Sequence, residues 1–192
     1  MGSIVKSAKS GAGDNEQQSI LRLYSWMGIC LLFIQLAERA LQQAIATVLD
    51  DPIVRLSEQS EAERKQTLGD FLKKLKKRVR LEYALKERLY DFLRMRNQFV
   101  HDLSDWDLKT AEGRRDAQLF VIELTMLALS TTALFTTVFQ VWARDNFDEE
   151  FFNEVEGEQR QLLKMFESQF GGTARKILAG KHSKPAQLRT GK

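Results

Sequence analysis

Arg96, Asn97 and His101 have the types and spacing for a reaction. They lie in the run Leu93-Arg94-Met95-Arg96-Asn97-Gln98-Phe99-Val100-His101-Asp102. Cleaving RNA through its own 2′-hydroxyl needs a base for one proton and an acid for the leaving oxygen. It also needs a cation to offset charge building on the phosphate. A histidine titrating near pH ~6.5 serves as either acid or base at neutral pH. An arginine stays charged and offers phosphate a planar fork of donors. On this reading His101 is the general acid or base and Arg96 holds the scissile phosphate. Asn97 orients His101 or a phosphate oxygen. Asp102 either sets the imidazole tautomer or is the turn residue after the helix. The scheme needs no metal and no other cofactor.

The spacing sets conditions on the elements that carry these residues. Positions 96 and 101 lie ~140° apart on a regular helix, so the helix is expected to end or bend between them. Asn97 and His101 are four apart and face the same way. Arg94 sits ~200° from Arg96, which places it on the surface or against RNA backbone. One motif supplies one imidazole, whereas two copies across a two-fold axis supply two His and two Arg.

The chain predicts an all-α fold, an up-and-down bundle of four to five helices. Its 192 residues suit one domain with tails, and its 2 prolines, Pro52 and Pro185, leave long stretches uninterrupted. The first helix, residues 16–49, carries an apolar stripe of Leu23, Met27, Leu31, Ile34, Leu41, Ile45 and Val48, and Asp50-Asp51-Pro52 ends it. Glu38 interrupts that stripe. Its carboxylate either reaches out from an edge or pairs with an Arg or His at a site or dimer seam. Cys30 is expected to fill core space. Residues 53–66 read as a loop with a short helix. A second helix starts near Thr67 with Leu68, Phe71, Leu72 and Leu75. A third spans about 81–97 with Leu85, Leu89, Phe92 and Leu93 inward. Residues 101–107 read as a connection. A fourth helix runs from Thr110 to about Trp142, with Thr125, Thr132, Thr136 and Gln140 on one face and Leu127, Leu134, Val138 and Trp142 opposite. A last helix, 148–170, is ended by Gly171-Gly172. No internal repeat is evident. The domain reading is a disordered N-terminal tail over 1–15, the bundle over 16–170 and a basic tail over 171–192.

The net charge of +3 is unevenly spread. Residues 171–192 carry six basic side chains and no acid, and residues 1–15 a net +1, which leaves −4 on 16–170. Within the bundle, residues 61–100 hold 12 Lys or Arg against 6 acids, whereas 144–170 hold 3 against 8. Lys73, Lys74, Lys76, Lys77 and Arg78 form either a solvated helix face or a phosphate-binding stripe that leads RNA to the cleft. The single cysteine excludes an intramolecular disulfide and a cysteine zinc cluster, and the two histidines, His101 and His182, leave little for a histidine metal site. The N-terminus has no apolar run of signal-peptide type. Gly2 is followed at position 6 by Lys, where a myristoylation motif has Ser or Thr. Residues 124–143 carry no formal charge, but seven are Ser, Thr or Gln, which reads as a core helix more than a membrane span. The expectation is a cytoplasmic protein with no membrane partner.

The segment Arg96-Asn97-Gln98-Phe99-Val100-His101 resembles the hallmark of the HEPN superfamily: Arg, a polar residue, further positions and His, at a helix end in an all-α bundle. Thr67-Leu68-Gly69-Asp70-Phe71-Leu72 also looks like the helix opening of such domains. The likeness in helix order and length spans about 16–170, and its sharp part is six residues. It implies a homodimer with a composite site and a metal-independent endoribonuclease acting on RNA. It further implies a toxin or anti-phage effector working with an antitoxin or sensor protein such as a nucleotidyltransferase. Some members are non-catalytic modules that bind nucleotide, RNA or a protein partner. A helical scaffold with an accidental likeness is the third reading.

Overall fold

In the computed structural model, residues 8–50, 68–147 and 157–180 are described, and within them every extended element is helical. Helix α1 spans Ala8–Gln43 and continues as a π-helical segment, Ala44–Asp50. Helix α2 is Leu68–Arg78 and α3 is Tyr83–His101. A 3₁₀ turn, Leu103–Asp105, leads to α4, Ala111–Asn146, and α5 is Gly157–Ala179. These five helices pack as an all-α bundle.

Helices α1 and α4 form the most extensive contact. Glu16 of α1 pairs with Arg114 of α4 at 3.2 Å, and further along Cys30 bonds to Thr125. Both contacts advance in the same direction, so the two helices run parallel. Arg144 of α4 pairs with Glu167 of α5 at 2.6 Å, while Leu134 and Phe170 line one pocket, so α5 runs antiparallel to α4. The first-helix stripe holds for Leu23, Met27, Ile34, Leu41, Ile45 and Val48, and Cys30 is fully buried. Leu31 departs from it: the core face passes through Cys30 and Ala37, which leaves Leu31 42% exposed. Leu72 and Leu75 of α2 and Leu89 and Phe92 of α3 are buried as expected, and Leu85 and Leu93 pack against the core from its edge.

The structure changes three expectations. Residues 8–15, expected in a disordered tail, are helical, because extending an existing helix needs no new nucleus. Helix α5 does not stop at Gly171-Gly172 but runs on to Ala179, and Ala174 and Ile177 are buried. Both glycines are ordinary helical positions with no positive φ; burial of the next turn outweighs their low helix propensity. Arg175 and Lys176 therefore belong to the bundle: Lys176 pairs with Glu82 at 2.8 Å. The third change concerns α4, whose expected polar face is largely covered. Of the expected polar face, Thr125 and Gln140 are buried and Thr132 and Thr136 half-buried, and Thr131 and Thr137 are buried as well, as are Leu134, Val138 and Trp142. A buried threonine is tolerated there because its hydroxyl donates to the carbonyl one turn back, as Thr125 does to Val121 at 2.7 Å and Thr137 to Ala133 at 2.8 Å. The expected loop over 53–66, the residues after Asp50, the start of a last helix at 148 and the tail beyond 180 lie outside the described residues.

Two stretches, Glu16–Ala46 and Ala111–Asn146, are long and apolar enough to cross a membrane by length and composition. For α4 the apolar surface is met by core packing on several sides.

Candidate functional site

Helix α3 positions the motif. It contains neither Gly nor Pro from Tyr83 to His101 and stays helical through His101. The N–H of Asp102 then donates to the Gln98 carbonyl at 2.9 Å and closes the last turn. The expected end or bend between Arg96 and His101 is absent, because the hydrogen-bond ladder continues across that span. Beyond Asp102, the 3₁₀ turn is clamped by Trp106, whose ring stacks edge-on with Phe99 at 6.2 Å and Phe120 at 5.0 Å between centroids. That clamp ties the end of α3 to α4. The turn into α4 is fixed as well. Arg114 donates to the carbonyls of Leu108 and Lys109 at 3.1 and 2.8 Å, and the Thr110 hydroxyl accepts from the Gly113 N–H at 3.1 Å.

Arg96 lies at the edge of α3 that faces α1. Its Nε donates to Glu38 Oε1 at 3.1 Å, and its Nη1 donates to Asn97 Oδ1 at 3.3 Å. The side chains of Arg96 and Glu38 are 22% and 24% exposed, so this pair is mostly shielded from solvent. Of the two readings of Glu38, the structure favours the partnered one. Arg96 uses two of its five N–H donors in these bonds, and the other three have no protein partner among the described residues.

His101 is exposed, and its side chain has no hydrogen bond or ion pair among the described residues. Asp102 is the C-cap of α3, and its carbonyl accepts from the Asp105 N–H at 3.0 Å. This is the turn-residue role; no bond joins its carboxylate to His101 among the described residues. Arg96 and His101 are therefore not brought together within one protomer. Five residues of continuous helix separate them by ~7.5 Å along the axis and ~140° around it.

Asn97 and His101 do share a face, and α3 extends it. Tyr90, Arg94, Asn97 and His101 follow one another at steps of four, three and four, all exposed. Lys76 of α2 lies over the Tyr90 ring with Nζ 3.9 Å from its centroid. A basic residue of α2 thus meets the upper end of the stripe that terminates at His101. Lys73 and Arg94 pair with acids one turn away, Asp70 at 3.5 Å and Asp91 at 3.1 Å, and both are strongly exposed. Lys77 is exposed and Arg78 partly buried; Lys74 is described only as a position on α2. Tyr90 was not among the sequence candidates. The signal that finds it is helical spacing backwards from His101.

No group of three or more His, Cys, Asp or Glu among the described residues could hold a metal ion. No family model matches the chain, and neither a curated protein nor a solved structure is similar to it.

Proposed function

We propose that this chain is a metal-independent endoribonuclease of HEPN type, cutting RNA at a site composed from two copies. The observation that supports it most is the shielded Glu38–Arg96–Asn97 arrangement beside an exposed, unencumbered His101. Glu38 holds the guanidinium in one orientation, so its remaining donors are preorganised for an anion. His101 is free to take or give a proton. Phosphate approaches along Lys76, Tyr90 and Arg94, where base stacking on Tyr90 and charge on the flanking groups serve single-stranded RNA. The 2′-hydroxyl loses its proton to one imidazole, the new bond to phosphorus forms, and the leaving 5′-oxygen is protonated by the second imidazole. Arg96 offsets the charge on the non-bridging oxygens meanwhile. In the cell this reading implies a cytoplasmic toxin or anti-phage effector restrained by an antitoxin or sensor protein.

A second reading has a specific observation behind it. Arg96 already serves as an inter-helix ion pair, which a non-catalytic HEPN module binding nucleotide, RNA or a protein partner would also contain. Incubating wild type and His101→Ala with total RNA in EDTA separates the two. The nuclease reading expects cleavage by wild type and none by the variant. No cleavage by wild type, or equal cleavage by both, refutes it. Relief of toxicity on expression by Arg96→Ala is the cellular counterpart.

A further inference from the structure

We infer that the outward face of α1 is a self-association surface on which a second copy of this chain packs. The inward face of α1 is accounted for by Leu23, Met27, Cys30, Ile34, Ala37 and Leu41. Its outward face is nonetheless apolar: Leu21 is 59% exposed, Tyr24 55%, Ile29 41%, Leu31 42%, Leu32 61% and Leu36 45%. These six leave roughly 600 Å² in solvent, at the top of the range for a monomer's largest apolar patch and close to one side of a standard interface. Residues 23–37 carry no charge at all, so nothing on this face opposes an apolar contact. Of its two hydroxyls, that of Ser25 is satisfied within the helix, donating to the Leu21 carbonyl at 2.9 Å.

The details of the face fit a helix as its occupant. Gly28 lies at its midpoint, and a Cβ built there meets nothing within 4 Å. A flat centre flanked by Leu21 and Leu36 lets another helix approach closely at that point. Leu21, Tyr24, Gly28, Leu31, Gln35 and Glu38 follow at alternating steps of three and four, the spacing of a coiled-coil seam. That row ends on the partner of Arg96, so a second copy seated along it lies beside the Glu38–Arg96 pair.

A bilayer fits less well. Glu16–Ala46 passes for a span by length and hydropathy, but its charge-free part is fifteen residues, about 22 Å of helix, so a crossing of the ~30 Å hydrocarbon core would also bury charged side chains from its ends. A helix lying on a membrane surface carries a rim of basic residues; here the whole run is bounded by only Arg22 at one end and Glu38-Arg39 at the other.

The inference is argued from exposure and charge and deepens the two-copy reading above by naming the face that pairs; a folded Leu32→Glu that stays paired refutes this face and leaves the two-copy site standing. Light scattering on the full chain at ~10 μM is expected to give twice the 22.1 kDa chain mass. Leu32→Glu and, independently, Gly28→Arg are expected to weaken association at least a hundredfold and give the single-chain mass. Both should retain wild-type helical circular dichroism, because both positions point away from the core. Wild type at the single-chain mass overturns the inference, as does a folded Leu32→Glu that remains paired. Wild type pelleting with vesicles of phosphatidylcholine and phosphatidylglycerol, and released by Leu32→Glu, assigns the face to lipid and also overturns it.

Discussion

Severing the Glu38–Arg96 pair should cost the fold a measurable amount, and its size follows from where the pair sits. Gross Coulomb attraction at 3.1 Å is ~5 kcal/mol at an effective dielectric of ~20. Desolvation and the ordering of two long side chains cancel most of that. Fully exposed pairs retain ~0.2–1 kcal/mol, and hydrogen bonds to charged groups retain ~1.5–3 kcal/mol. At about a quarter exposed, this pair falls between those limits, and a coupling of about 1.5 kcal/mol is expected. The assay is a double-mutant cycle with Glu38→Gln, Arg96→Gln and both together, each unfolded in urea at one protomer concentration. Both singles should destabilise, and the double should cost less than their sum by the coupling. The pair should also outlast the exposed Arg94–Asp91 pair in 1 M salt, since shielded charges are screened less. A coupling below about 0.3 kcal/mol refutes the claim that Glu38 holds Arg96. Cleavage by Glu38→Gln should then match wild type, whereas a holding role predicts a clear fall.

Four further outcomes are expected. Gly172→Ala should stabilise by ~0.5–1 kcal/mol, since Gly172 lies mid-helix with open space around its Cβ position, and a destabilisation on thermal melting would place the helix end there after all. Gly113→Ala should destabilise by about 2 kcal/mol or more, because its Cβ would run into the Asp107 carbonyl, with unfolding midpoints as the check. Burial pushes the Cys30 thiol above its ordinary value against a lesser opposing effect of the Thr125 hydrogen bond, so the folded state keeps the proton longer than the unfolded chain. Stability is therefore full below the unfolded thiol pKa of ~8.5 and falls as pH rises beyond it, a fall that Cys30→Ala should abolish in urea titrations from pH 7 to 10. Tyr90→Ala should weaken single-stranded RNA binding by ~1–3 kcal/mol with little change in fold, measured by fluorescence anisotropy.

The helices were legible because their signals are long-range averages. Stretches of 36 residues without proline, with apolar residues at steps of three and four, admit little else. What one sequence hides is which side of a helix a neighbour covers. Thr125 and Gln140 read as a polar face, yet α4 is wrapped on several sides, and a threonine hydroxyl can satisfy itself on its own helix. Leu31 reads like its buried neighbours, because apolarity alone does not separate a core face from an uncovered one. Gly171-Gly172 read as a stop, since the burial of Ala174 and Ile177 that carries the helix past it is a tertiary fact. Glu38 was legible as a carboxylate in need of a partner. That the partner is Arg96, 58 residues away, depends on how α3 crosses α1.

The continuity of α3 narrows how the motif can work. Arg96 faces α1, and His101 lies most of half a turn around the same helix. A single protomer can bring them to one phosphate only by unwinding the last turn of α3. That would break the Asp102–Gln98 hydrogen bond, worth ~1 kcal/mol net. It would also loosen the two Trp106 edge contacts, worth ~0.5–1.5 kcal/mol each. The sum, about 2–4 kcal/mol, leaves an unwound state at a few per cent or less. In the proposed two-copy site a second copy would avoid that cost: each helix would stay intact, and the imidazole of one would meet the guanidinium of the other. The Trp106 clamp would then belong to the positioning, since its contacts with Phe99 and Phe120 fix the end of α3 that carries His101. If the proposed cleavage takes place, the separation of Arg96 and His101 on one intact helix would make pairing a condition of it.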